Sequence, residues 1–114
     1  MLEWSMGVTL GQINLQRKKR NKEQIVASIL STARNEATKT RIMYVCFLSF
    51  SQLQKYLNFV LQAKLLYLNP LDGKYLTTSR GLEFLQRFEE VQGMENFIME
   101  KRKLINEFLH VGDI

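Results

Sequence analysis

Four apolar residues recur at intervals of seven towards the C-terminal end of the chain, Phe84, Val91, Ile98 and Ile105. Phe88, Met94, Phe97, Leu104, Phe108 and Leu109 widen them into a stripe of helical period. A helix from about Ser79 to Leu109 would be roughly 45 Å long at ~1.5 Å per residue. That is too long to bury itself against anything the rest of a 114-residue chain can build. The distal half therefore requires a second chain, with Phe84, Phe88, Val91, Met94, Ile98, Ile105, Phe108 and Leu109 as its interface, or else a bend. Gly93 offers the bend, since a mid-helix glycine costs about 1 kcal/mol relative to alanine. Glu95 and Arg102 occupy the complementary heptad positions and make the register imperfect. Glu89 and Glu90 near one end and Lys101, Arg102 and Lys103 near the other attract when two such helices run antiparallel and repel when they run parallel. An antiparallel homodimer is the expected geometry.

The middle of the chain predicts two short helices joined by a tight turn, from Thr38 to Ala63. Ser49 followed by Gln52 fits a capping box and starts a helix at about Phe50. Leu53, Leu57, Val60 and Leu61 form its apolar stripe, while Gln52, Gln54, Lys55, Asn58 and Gln62 fall largely off it. Thr38 caps a shorter helix upstream whose apolar members are Ile42, Met43, Val45 and Cys46, leaving Lys39, Arg41 and Tyr44 to point elsewhere. Phe47-Leu48-Ser49 is short enough to set the pair at a steep angle, as in a helix-turn-helix. No acidic residue occurs from Ala37 to Asn69. A face rich in Gln, Asn, Ser and Lys without carboxylates suits phosphates and base edges. Such residues also fill the solvated faces of many helix pairs that never touch DNA.

Around this pair the chain reads in order. Residues 1–16 hold Trp4, Val8, Leu10, Ile13 and Leu15 without a sustained period, and no element is assigned there. Arg17, Lys18, Lys19 and Arg20 are four consecutive cations, a phosphate-contacting arm or a solvated linker. Asn21 with Gln24 caps a helix whose stripe is Ile25, Val26, Ile29, Leu30 and Ala33, ending at Arg34-Asn35-Glu36. Leu65–Leu68 and Lys74–Thr77 flank Asn69-Pro70-Leu71-Asp72-Gly73, which predicts a β-hairpin with Lys74 near its tip. Thr78 or Thr77 caps the long helix, and Gly81 in its first turn points to a close crossing by the hairpin. The organisation expected is an N-terminal extension with a basic arm over 1–20, a winged helix-turn-helix domain over 21–81 and a dimerisation helix over 82–114.

Charge divides the same way. Up to Ser79 there are eleven Lys and Arg against four acids, whereas from Arg80 to His110 five basic residues meet six acidic ones. The surplus lies in the half that holds the helix pair and favours a polyanionic partner there. Cys46, the only cysteine, has apolar neighbours and no adjacent base, and the only histidine is His110 near the end of the chain. Neither a nucleophile–base pair nor a zinc set can be assembled, so no catalysis, metal, cofactor or small-molecule substrate is expected. No apolar run reaches the ~18 residues of a membrane span, and the start lacks the layout of a signal peptide, so a cytoplasmic protein is expected.

The runs KEQIVASILSTA, TRIMYVCFLSFSQLQKYLNFVLQAKLL and YLTTSRGLEFLQRFEEV resemble the small archaeal winged-helix proteins typified by the ten-kilodalton chromatin proteins of Sulfolobus. The resemblance spans about Arg17 to Val91. Its most specific parts are T-R-I-M-Y, the segment L-S-x-x-Q-L-x-K-Y-L ending at Leu57, and L-T-T-x-x-G-x-x-F-L ending at Leu85. It implies a mainly α, α+β winged-helix fold, binding to double-stranded DNA, and dimerisation through the C-terminal helix as an antiparallel coiled coil. The N-terminal extension and the imperfect heptads depart from that pattern. The expected DNA-binding residues are Arg17, Lys18, Lys19, Arg20, Lys39, Thr40, Arg41, Tyr44, Ser51, Gln52, Gln54, Lys55, Asn58 and Lys74. Arginine is absent from the helix that begins at Phe50, which leans towards an architectural, nucleoid-associated role with weak sequence preference. A sequence-specific transcriptional regulator and a winged-helix module for protein contact are the competing readings.

Overall fold

The computed structural model describes residues 20–110. Helix α1 (Lys22–Thr32) runs into a 3-10 turn (Ala33–Asn35) and is followed by α2 (Lys39–Val45) and α3 (Phe50–Gln62). Strands β1 (Leu66–Leu68) and β2 (Tyr75–Thr77) then lead into α4 (Ser79–Leu109). The order helix, helix, turn, helix, hairpin, long helix is the winged-helix arrangement.

Each helix starts where a side chain can accept its orphan amides. Asn21 Oδ1 accepts from Gln24 N at 2.8 Å while Gln24 Oε1 accepts from Asn21 N at 3.0 Å. Thr38 caps α2 through Arg41 N, and Ser49 and Gln52 form the second reciprocal box at the start of α3. Thr78, rather than Thr77, caps α4 by accepting from Gly81 N at 3.0 Å. Thr77 is buried instead and donates to Leu30 O at 2.6 Å, a bond that joins the hairpin to α1. Caps of this kind contribute about 1 kcal/mol each, so the four boundaries are well determined locally.

The core gathers Ile29, Leu30 and Ala33 from α1, Ile42 and Cys46 from α2, and Leu53, Leu57 and Val60 from α3, closed by Leu66, Tyr75 and Leu85. Val45 does not join it. It is 43% exposed, because a helix of seven residues buries one narrow face and Ile42 and Cys46 already fill that face. Strands β1 and β2 pair antiparallel with Leu66 opposite Thr77, Tyr67 opposite Leu76 and Leu68 opposite Tyr75. Leu66, Tyr75 and Thr77 face inward, while Tyr67 and Leu76 face out. Ala37 adds a third, single-residue strand, exchanging bonds of 2.9 and 2.8 Å with Tyr75. The hairpin is thereby tied to the residue just before the cap of α2.

Gly81 lies where α4 meets the hairpin. A Cβ there would fall on the Leu65 carbonyl and within 2.6 Å of Thr77 Cγ2, so the crossing expected from the sequence is present. Phe84 and Phe88, expected at a dimer interface, pack against the core of their own chain, with ring centres 6.3 Å apart. From Glu89 onward almost every side chain of α4 is exposed, including Val91, Met94, Phe97, Ile98, Ile105, Phe108 and Leu109. The helix runs unbroken through Gly93, so the bend is not adopted. The molecule is correspondingly 64 Å long and only 26 by 22 Å across.

Candidate nucleic-acid interface

The capping box at Ser49 directs the first turn of α3 away from the core, and the buried stripe Leu53, Leu57 and Val60 fixes its roll. Ser51, Gln52, Gln54, Lys55 and Asn58 are consequently all exposed on one continuous polar surface. They do not offer equal chemistry. The Gln52 carbonyl oxygen is committed to Ser49 N at 3.0 Å, which leaves its amide donors as the free end. Gln54 and Asn58 keep both donor and acceptor, the pair of functions that reads an adenine edge. Lys55 supplies a point charge suited to phosphate.

The shorter helix flanks this surface. Thr40, Arg41 and Tyr44 are exposed on α2, whereas Lys39 is half-buried because its Nζ lies 5.1 Å from the centre of the Phe50 ring. Arg20 donates from Nη2 to Phe47 O at 3.3 Å, which places a cation at the turn between α2 and α3. Arg17, Lys18 and Lys19 lie outside the described residues.

The wing is held by its own polar side chains. Asn69 Oδ1 accepts from Leu71 N, Asp72 Oδ1 from Lys74 N, and Gly73 N donates to Asn69 O, which gives the loop a defined shape with Lys74 exposed on it. Gly73 takes φ of +72°, the conformation for which glycine is suited. At the far end of α3, Lys64 adopts φ of +65° as Leu65 N donates to Val60 O, the hydrogen-bond pattern of a Schellman termination. Arg80 Nε bonds Ala63 O at 3.1 Å beside it.

Two features were not foreseen from the sequence. Lys22 on α1 lies 4.0 Å above the Phe59 ring, and these two line a shallow depression of about 260 Å³ with Lys55 and Tyr56, adding a cation beside α3. The Ala37–Tyr75 bridge sets the wing relative to the helix pair, so Arg41, Lys55 and Lys74 stand on one rigid frame. No acidic residue occurs between Ala37 and Leu71 to oppose an approaching polyanion. Burial pushes the Cys46 thiol above its ordinary range, outweighing the hydrogen bonds of Ser28 and Thr32, so the thiol stays neutral within the core. Among the described residues no group of three or more His, Cys, Asp or Glu could hold a metal, and no helix is long and apolar enough to cross a membrane.

The family model described as winged helix-turn-helix matches residues 19–96. No curated protein matches the chain. Among solved structures the chain is similar to that of Sso10a-2, a DNA-binding protein from Sulfolobus solfataricus, with a TM-score of 0.72. The match covers 82% of this chain and 100% of that one at 20% identity, a likeness of fold.

Proposed function

The chain belongs to the winged helix-turn-helix family, and from that premise we propose that it binds double-stranded DNA as a homodimer with weak sequence preference, in an architectural, nucleoid-associated role. The observation that carries this reading is the acid-free surface of α3, flanked by Arg41 and by the wing with Lys74 in a fixed relation. In the proposed complex α3 enters or overlies the major groove, and Ser51, Gln52, Gln54 and Asn58 face base edges and sugar–phosphate. Lys39, Thr40, Arg41, Tyr44 and Lys55 lie along the backbone, Lys74 reaches it from the wing, and Arg17–Arg20 add charge at the margin. The likeness to a DNA-binding protein from Sulfolobus supports the same role.

Residues 21–81 act in this scheme as the DNA-contacting head and 82–114 as the pairing helix. Among the described residues most apolar side chains of α4 beyond Phe88 are left exposed, and burying each fully is worth about 1.5–3 kcal/mol. Antiparallel pairing sets Glu89 and Glu90 of one copy against Lys101, Arg102 and Lys103 of the other and leaves the two heads at opposite ends of a rod. Such a rod can bridge two duplexes or two sites on one.

Binding to unrelated duplexes at rising salt tests the DNA reading, with log affinity expected to fall linearly in log salt as condensed counterions are released. Absence of binding at low salt would overturn it and favour a protein-contact module. Strong preference for one sequence would favour a regulator. Light scattering tests the pairing. The full chain is expected to be a dimer and the Ile98→Asp, Ile105→Asp double variant a monomer of unchanged helical signal, and a monomeric full chain at micromolar concentration would remove the rod.

A further inference from the structure

The turn between α2 and α3 carries an aromatic patch whose centre, Phe47 and Phe50, has no part in the duplex contacts proposed above. Phe47 occupies it with φ of +56°, a left-handed conformation in which a bulky residue is a genuine outlier and which Gly or Asn adopts with less strain. Its side chain is not rewarded by burial, since the residue is 56% exposed. Tyr44, Val45 and Phe50 around it are also exposed. Three aromatic residues within residues 44–50, one of them held in a strained backbone, therefore face solvent. The backbone conformation itself belongs to the Schellman termination of α2, in which Phe47 N donates to Tyr44 O and Leu48 N to Met43 O, so what asks for a reason is an exposed phenylalanine at a position that Gly or Asn fills with less strain.

The surroundings of the patch define its ligand. Arg20 Nη2 sits 3.3 Å from Phe47 O, and Lys39 Nζ lies over the Phe50 ring. Arg41 precedes Tyr44 and Val45 by three and four residues and so shares their face of α2. Exposed aromatic rings interleaved with cations and free of carboxylates fit a polyanion that also presents flat apolar surfaces. A second copy of this chain would bring Arg20, Lys39 and Arg41 against their like. A duplex offers the charge but hides the faces of its bases in the stack. Unpaired nucleotides offer both at every repeat.

We propose that the turn between α2 and α3 is a single-stranded DNA site, at which Phe47 and Phe50, with Tyr44 beside them, stack on unpaired bases while Arg20, Lys39 and Arg41 hold the flanking phosphates. The site lies at the edge of the duplex surface, so a protein seated on a duplex could hold a strand that leaves it at an end or an opened segment. It goes beyond duplex binding, sharing Arg20, Lys39, Arg41 and Tyr44 with the duplex surface, and is separable from it through Phe47 and Phe50, which take no part in the duplex contacts assigned above.

The test is fluorescence anisotropy of the full chain with labelled oligothymidine and, separately, with a mixed-sequence duplex, for the wild type, Phe47→Asn and Phe50→Ala. Asparagine tolerates the left-handed backbone, so Phe47→Asn is expected to keep or raise the thermal transition. Each variant is expected to lose about 5- to 150-fold in affinity for oligothymidine, the range for removing one stacking ring, and to bind the duplex as the wild type does. Unchanged affinity for oligothymidine in both variants would overturn the proposal, and so would an equal loss on duplex and single strand. Association beyond a dimer that disappears in Phe47→Asn would assign the patch to a second copy instead. A lowered thermal transition in Phe47→Asn would assign it to cover by residues 1–19 of the same chain. A wild type that binds oligothymidine but no duplex would leave this site standing and overturn the duplex reading.

Discussion

Gly81 is the position at which the close approach of α4 to the hairpin can be measured. Replacing it with alanine would ordinarily stabilise a helix by up to about 1 kcal/mol. Here the added methyl falls on the Leu65 carbonyl, a backbone atom that cannot turn aside, and within 2.6 Å of Thr77 Cγ2. Leu65 O also accepts from Thr78 N at 3.1 Å, so moving α4 outward strains the bond that joins the hairpin to the helix cap. Overpacking of this kind costs about 1–3 kcal/mol, and the fixed backbone places this case at the upper end. Net of the propensity gain, Gly81→Ala should destabilise by about 2 kcal/mol, which for a domain of this size lowers the melting temperature by roughly 10 °C. Gly93 is the internal control, because nothing lies within 4 Å of a Cβ built there. Gly93→Ala should raise helix stability by up to about 1 kcal/mol. Circular dichroism melts at equal protein concentration make the comparison. A Gly81→Ala transition at or above that of the wild type would refute the close approach.

Arg41→Ala and Lys55→Ala should each weaken duplex binding on all sequences alike and lower the log–log salt slope by about one, measured by gel shift at several salt concentrations. A change in preferred sequence would instead make that residue a base reader. Thr77→Val removes the donor to the buried Leu30 carbonyl at 2.6 Å and should cost about 1–3 kcal/mol in a urea melt, with the helices otherwise retained. Burial raises the Cys46 thiol in the folded state, so its contribution is fully present below the unfolded value, for which 9.0 is the reference, and is lost as pH rises beyond it. Stability of the wild type should therefore fall more steeply above about pH 9 than that of Cys46→Ala.

What the sequence disclosed was chiefly local. The two capping boxes, Asn21 with Gln24 and Ser49 with Gln52, act over three residues and are visible in any reading of the chain. Gly81 was legible for a related reason, since a glycine in a helix's first turn asks for a steric cause, and Leu65 supplies it. The polar surface of α3 followed from its stripe, because thirteen residues give enough turns to fix a face. Seven residues do not, and Val45 was assigned inward on a periodicity too short to decide it. The Ala37–Tyr75 bridge joins residues on either side of three elements and leaves no local mark. Nor does the left-handed backbone of Phe47, whose residue type argues against it. Lys22 reaches Phe59 only because α1 is laid across α3 by the packed core. The candidate site was thus legible where it depended on one helix and hidden where it depended on how two elements meet.

The junction of β2 with α4 has a mechanical consequence. Only Thr78 separates Thr77 from Ser79, and its hydroxyl is bonded to Lys64 O at 2.7 Å while its amide is bonded to Leu65 O. With β2 also fastened to Ala37, no swivel separates the wing from the shaft. The 31-residue α4 is about 46 Å long at ~1.5 Å per residue, so it behaves as a lever arm, and a tilt of about 10° at the wing sweeps its far end through about 8 Å. Torque delivered to the wing would reach the tip of α4 undiminished by any linker, and an obstacle at the tip would return as a change of pitch at the wing.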